Sequence, residues 1–173
     1  MNYVSFFTAT VLNWKRLLSN NKYKDIITDS MHYLVTDGRV RIFAFVIMPN
    51  HIHIVWRVKN ERNPSDVQRD FLKYSAQQIK LTLLKDNPKI LEEYYVGAKD
   101  RKYQIWERNP LTSRLTSIEL VEQKINYIHS NPIRGNWNLA EEITEYKYSS
   151  ARFYYEGIDD WGFLTHYLNA KDE

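Results

Sequence analysis

The chain is predicted to be an α+β protein, an antiparallel sheet with helices packed on one face. Two stretches of strand character meet at a Pro-Asn turn, and segments of helical periodicity precede and follow them. No repeat, low-complexity tract or Gly/Ser linker divides the 173 residues. That length lies in the range of one globular domain, and a hydrophobic fraction of 43% supplies a sizeable core. The chain therefore reads as one domain with an irregular C-terminal extension.

The first strand is expected at Tyr3 to Val11, where aromatic and β-branched residues dominate. A polar stretch leads to a helix over about Tyr23 to Val35, which Asp37-Gly38 ends. Arg39 to Met48 is mostly apolar on both faces, the pattern of a central strand, and Pro49-Asn50 supplies turn chemistry. In His51 to Val58, Ile52, Ile54, Trp56 and Val58 share one face by alternation, leaving His51, His53, Val55 and Arg57 on the other. The two strands are expected to pair as an antiparallel hairpin. Asn63-Pro64-Ser65-Asp66 reads as a helix start. From Val67 to about Leu84, apolar Phe71, Leu72, Ile79 and Leu83 are interspersed with Arg69, Lys73 and Lys80, an amphipathic helix with basic content. The polar stretch from 86 to 101 has no assigned element, and Tyr103 to Trp106 is expected to be a short strand. Thr116 with Glu119 fits a capping box, after which Ile118, Val121, Ile125 and Ile128 follow at helical spacing until Pro132 ends the run. The order strand, helix, hairpin, helix, strand, helix suggests a ferredoxin-like or related α+β layer.

Composition narrows the function classes. The longest apolar run, Ile42 to Met48, is far short of the roughly 20 residues a spanning helix needs. The N-terminus lacks the basic start and small-residue cleavage site of a signal peptide, so a cytoplasmic location is the default expectation. Zero Cys removes disulfides, thiolate nucleophiles and Cys-based zinc or iron–sulfur sites. A net charge of +3 allows a nucleic-acid partner without demanding one. The unusual excess is aromatic, led by 13 Tyr.

Two groups of residues could carry chemistry. His51 and His53 are i and i+2 on a strand, so both imidazoles project from one face and can present two nitrogens to one cation. The same pattern also suits hydrogen-bonded histidines of a half-exposed sheet. Gln123, Tyr127 and Asn131 follow at i, i+4, i+8 and stack on one face of the last helix, while His129 points elsewhere. By spacing alone, the better reading of Tyr127 is a tyrosine at a core edge, and of Asn131 the end of the helix.

Together these segments resemble a family. Val46-Ile47-Met48-Pro49-Asn50-His51-Ile52-His53 resembles the V-x-M-P-N-H-x-H core of the REP-associated tyrosine transposases, a branch of the single-tyrosine transposases within the HUH nuclease superfamily. Tyr127-Ile128-His129-Ser130-Asn131-Pro132-Ile133-Arg134 resembles that family's Y-I-H-x-N-P-V-R/K. The N-terminal strand, Tyr103 to Trp106 and Tyr148-Ser149-Ser150-Ala151-Arg152 are also similar to family features, so the likeness spans nearly the whole chain. One departure stands out. Where the family reads V-R/K-A-G-L, this chain has Ile133-Arg134-Gly135-Asn136-Trp137, with Gly one place earlier and Asn where Gly is common.

The resemblance implies the HUH nuclease fold, with residues 1–137 as the catalytic domain and 138–173 as its extension. It implies cleavage and rejoining of single-stranded or hairpin DNA through a 5′-phosphotyrosine on Tyr127. A phenol of pKa near 10 attacking a phosphodiester needs a Lewis acid. His51 and His53 would hold it, with Asn131 as third ligand, and the family implies Mg²⁺ or Mn²⁺ although imidazole suits zinc or copper better by softness. Lys73, Lys80, Arg134 and Arg152 are the expected DNA contacts. The neighbours of Tyr127 one turn away, Gln123 and Asn131, favour the single-tyrosine branch over initiators that pair two tyrosines, and the molecule is expected to act as a monomer or homodimer. Two other readings compete: a non-catalytic single-stranded nucleic-acid-binding module of ferredoxin-like fold, and a phosphohydrolase that uses water. The K/R-G-F/Y-G/A-F-V-x-F/Y strand of RNA-recognition domains is absent.

Overall fold

The computed structural model describes residues 3–59 and 62–169. Residues 1–2, 60–61 and 170–173, which belong to the expected catalytic domain and its extension, lie outside the described residues. A four-stranded antiparallel sheet forms the centre: β1 (Val4–Thr10), β2 (Val40–Ile47), β3 (His51–Val58) and a fourth strand at Leu111–Leu115, in the spatial order β2, β3, β1, Leu111–Leu115. The expected hairpin is present, with Phe45 opposite Ile54 and Val46 opposite His53. On its other edge β3 pairs with β1, which sets Thr8 opposite His53 and Thr10 opposite His51.

Alternation along β1 and β3 divides the core. Phe7 and Trp56 stack on one face at 5.3 Å and meet Phe71 of α2 (Pro64–Asp86) edge-on, while α1 (Asn21–Thr36) packs beside α2. The opposite face carries Phe6, His51 and His53 and is covered by the last long helix, Ile118–Ser130. The fold class is as expected, but the helices occupy both faces rather than one. Burial of His53 and Val55 alongside Ile54 and Trp56 requires a cover on each side.

Local expectations differ from the structure at four places. Ser117, not Thr116, caps the Ile118–Ser130 helix, its hydroxyl accepting from the Leu120 N–H. Tyr103–Trp106 is not a continuous strand: Arg101–Tyr103 (β5) pairs with Tyr95–Ala98 (β4) in a separate small sheet, and Trp106 makes one bridge to Val11. Leu111–Leu115, here β6, was not expected at all. It is an edge strand exposed at four of its five positions, so no apolar alternation marks it.

The fourth difference concerns β2, which lies at the sheet edge rather than its centre. Its two apolar faces are covered by α1 and the Ile118–Ser130 helix, and the C-terminal extension covers its open edge. The Ile47 N–H donates to Tyr148 O at 2.9 Å, the Ser150 N–H to Phe45 O at 3.0 Å and the Thr165 N–H to Ile42 O at 3.0 Å. Tyr146 and Tyr154 hydroxyls donate to the carbonyls of Ile47 and Phe43. Edge groups that would template another chain are thereby satisfied. With α3 (Pro88–Glu92), the Ile118–Ser130 helix becomes α4 and Ala151–Tyr155 becomes α5. Among the described residues, no helix is long and apolar enough to cross a membrane.

Candidate functional site

β3 and α4 build the site. Alternation turns His51 and His53 toward α4, with ring centroids 4.7 Å apart and only 8% and 6% of each residue exposed. Each ring is held through Nδ1. His51 Nδ1 lies 2.7 Å from Asn50 Oδ1, an acceptor, so this nitrogen carries the proton and Nε2 keeps its lone pair. His53 Nδ1 lies 2.7 Å from Thr8 Oγ1 across the β1–β3 ladder. His53 Nε2 is buried and has no hydrogen-bond partner among the described residues. An orphaned buried nitrogen costs free energy unless a ligand takes it.

Burial also fixes the charge state. Desolvation pushes the His51 pKa down to about 4. It pushes His53 to about 3, with the His51 ring and the Lys124 ammonium adding to the effect. Both imidazoles are neutral at pH 7, the form that binds a metal.

Tyr127 projects from α4 over this pair. Its ring centroid is 5.4 Å from that of His53 and 6.1 Å from Phe6, and the residue is 41% exposed, so the phenol is open to a large substrate. Asn131 sits one turn further on at the helix end, with helical φ −55 and ψ −46, and is 8% exposed. Pro132 then diverts the chain into a single tight turn, Asn131–Ile133. Among the described residues no cluster of three or more His, Cys, Asp or Glu could hold a metal. The donor atoms this site offers an ion are therefore neutral ones, the two imidazole nitrogens first.

The expected DNA-binding residues are not gathered in one place. Arg134 follows the Asn131–Ile133 turn directly and is exposed beside the site. Lys73 and Lys80 lie on α2, on the other layer of the sheet. There they line a groove of about 1030 Å³ with Arg101, Gln104 and Arg108. Arg152 is paired within the chain, to Glu156 at 2.9 Å and Asp160 at 2.7 Å.

Several residues escaped the sequence reading. Lys124 is one turn before Tyr127, its Nζ 5.7 Å from the Tyr127 centroid and 4.8 Å from Phe6; the K-x-x-Y spacing on a helix could have revealed it. Thr8 emerges only from the strand register. Asn50 lies inside the quoted motif, and its side chain has a task at each end, since Nδ2 also donates to the Trp14 carbonyl at 3.3 Å. His129 is buried away from the site, with Nε2 hydrogen-bonded to Ser150 Oγ at 2.8 Å, a link between α4 and β2.

Comparison with known proteins agrees with the fold. The chain is similar in fold to a REP-associated tyrosine transposase solved with a REP hairpin, with a TM-score of 0.66 at 18% identity over 94% of this chain and 86% of that one. It is similar also to a candidate transposase from Deinococcus radiodurans R1, with a TM-score of 0.50 at 15% identity over 75% of this chain and 91% of that one. No curated protein sequence matches. The profile of the family described as "Transposase IS200 like" matches residues 7–109, which hold the second half of β1, the hairpin and both histidines but not Tyr127. That match spans more than half of the sequence, and the chain belongs to the IS200-like transposase family.

Proposed function

We propose that the chain is a metal-assisted endonuclease and strand transferase of the REP-associated, single-tyrosine branch. It cuts and rejoins single-stranded DNA at hairpin-flanked sites through a 5′-phosphotyrosine. The observation that carries this reading is the Tyr127 ring lying 5.4 Å from the ring of His53, whose Nε2 is buried and unpartnered.

Tyr127 Oη attacks a phosphodiester phosphorus. The Oη–P bond forms as P–O3′ breaks, the phenol proton passes to solvent, and the departing 3′ oxygen takes up a proton. Because one phosphodiester replaces another, a 3′ hydroxyl can later attack the phosphotyrosine and rejoin the DNA. His51 and His53 through Nε2, and Asn131 through its amide oxygen, would hold Mg²⁺ or Mn²⁺; when bound, the ion supplies the Lewis acid for the phosphate charge. The donor set fits, since both imidazoles are neutral and already oriented through Nδ1. Lys124, against the Tyr127 ring, offsets negative charge as the phenol loses its proton and the phosphate approaches.

Arg134 contacts the strand near the cut, and Lys73 and Lys80 contact DNA that continues around the other layer, as a hairpin beside a cleavage site would. Arg152 joins them by exchanging its carboxylate partners for phosphate. The likeness to a transposase holding a REP hairpin supports this hairpin reading. Residues 1–137 act as the catalytic domain with 138–173 as its extension, in the cytoplasm and nucleoid-associated on DNA, as a monomer or homodimer.

The test is cleavage of single-stranded hairpins from the gene's own flanks, with Mg²⁺ or Mn²⁺. Wild type is expected to cut and the Tyr127→Phe protein to bind without cutting. Cutting by Tyr127→Phe would indicate a water nucleophile, and no cutting by wild type a non-catalytic binder.

A further inference from the structure

We propose that Trp14, Trp137 and Arg16 form a nucleotide subsite beside His51: the Trp14 indole stacks on one unpaired base beside the scissile phosphate, and Arg16 takes a neighbouring phosphate. This rests on the DNA-cleaving reading above and adds to it the residues that hold the strand.

The two indoles flank His51. Trp14 lies 6.4 Å from the His51 ring and Trp137 6.0 Å from it, centroid to centroid. Trp14 is 63% exposed, so core packing does not account for it. Its backbone does not follow an easy path either. Asn13 and Trp14 have φ of 55° and 56°, a left-handed region that residues other than Gly seldom adopt, and here two adopt it in succession. The loop is held there at several points. The Asn13 N–H donates to Glu107 Oε1 at 2.6 Å, the Trp14 N–H to Val11 O at 2.9 Å, and Asn50 Nδ2 to the Trp14 carbonyl at 3.3 Å. The same Asn50 orients His51 through its other end. One amide thus sets both an exposed indole and a candidate ligand for the reacting phosphate. Strained backbone retained around an exposed side chain points to a use for that side chain.

Arg16 supplies the charge. Its guanidinium lies 5.2 Å from the Trp137 centroid, and among the described residues it makes no ion pair. A guanidinium seated on an aromatic face keeps its N–H groups directed outward, where a phosphate can accept from two of them. A flat exposed indole with a stacked arginine beside it suits unpaired nucleic acid, since every base has a π face and every linkage a charge. A base pair within a duplex offers no free face to Trp14, so the subsite selects the single-stranded side of the substrate. Trp137 falls where the chain departs from the usual V-R/K-A-G-L, so this part of the subsite belongs to this chain in particular.

The test uses the Tyr127→Phe protein, which cannot form the covalent bond. Its affinity is measured by fluorescence anisotropy for a labelled single-stranded oligonucleotide from the gene's flank, with Mg²⁺ present, alongside oligonucleotides abasic at one position each. Adding Trp14→Ala is expected to weaken binding by roughly 10-fold or more, as loss of one stacked base does. One abasic position is expected to weaken it equally, with no further loss when both changes are combined, and Trp14→Phe is expected to restore most of the affinity. Quenching of tryptophan fluorescence by the intact oligonucleotide is expected to fall in Trp14→Phe, a reading that does not depend on the alanine protein folding. Unchanged affinity in a folded Trp14→Ala protein, or losses that simply add at every abasic position, would overturn the subsite. Cleavage failing in wild type while this coupling persists would overturn the catalytic reading alone.

Discussion

Replacing Thr8 with Val tests whether His53 is oriented for metal binding by its neighbour on β1. The change is nearly isosteric and keeps a β-branched residue in a strand, so it removes little besides the hydroxyl. That hydroxyl is 2.7 Å from His53 Nδ1. A neutral imidazole has one N–H, and Nε2 can be a ligand only when the proton resides on Nδ1 and is donated to Thr8 Oγ1. With Val the acceptor is gone, the buried N–H loses its partner, and the proton is free to move to Nε2. Stability should fall by about 1–3 kcal/mol, the usual cost of a buried donor left without a partner. Affinity for Mn²⁺ should fall by roughly 10–100-fold, the usual consequence of removing a group that orients a ligand, or about 1.4–3 kcal/mol. Thermal unfolding without metal measures the first quantity, and titration of the free Mn²⁺ spin resonance signal the second. A Thr8→Val protein that binds Mn²⁺ like wild type, while His53→Ala does not bind it, would refute the orientation argument.

Four further outcomes are expected. Lys124→Ala should slow covalent attachment roughly 10–100-fold, as loss of a hydrogen bond to a charged group does, with DNA affinity little changed; rapid-quench kinetics separate the two. Lys73→Ala and Lys80→Ala should each reduce the salt dependence of DNA binding by about one counterion, with the cutting rate at saturating DNA unaltered because the α2 groove lies on the other layer; binding isotherms across a salt series check this. Ser150→Ala should lower stability by about 1–3 kcal/mol, since His129 and the Phe45 N–H both lose a buried partner, and chemical denaturation measures it. Burial pushes the Tyr94 and Tyr148 phenols up to about 12. Their folded pKa values exceed the unfolded value near 10, so the stability they contribute is complete below pH 10. It is lost progressively as pH rises from about 10 to about 12. Across that range melting temperatures should decline as phenolate absorbance rises.

Much of the fold was legible where local pattern and burial coincide. The Pro49-Asn50 turn and the alternation of β3 identified the hairpin and put both histidines on one face, because a strand has no other way to arrange i and i+2. The α4 stripe was legible for the same reason. β6 was not, since Leu111-Thr-Ser-Arg-Leu115 buries one residue of five and is held by backbone pairing to β1. β2 read as a central strand because its side chains are covered on both faces, while the cover for its edge comes from Tyr148, Ser150 and Thr165, more than a hundred residues away. The site divides likewise. His51, His53, Tyr127 and Asn131 are candidates because two local motifs carry them. Thr8 and Trp14 required the register of β1 and the backbone of a loop, neither of which has a local signature, while Lys124 lay one turn before Tyr127 in a spacing that went unread.

The central claim is that the Tyr127 oxygen becomes covalently bonded to DNA. It is tested most directly by incubating the protein with metal and a 3′-labelled single-stranded hairpin from its own flank, digesting it, and locating the modified peptide by mass spectrometry. The account predicts a nucleotide-phosphate on Tyr127 in wild type and none in Tyr127→Phe. Cut DNA carrying a free 5′ phosphate with no adduct, or an adduct on another residue, would contradict it.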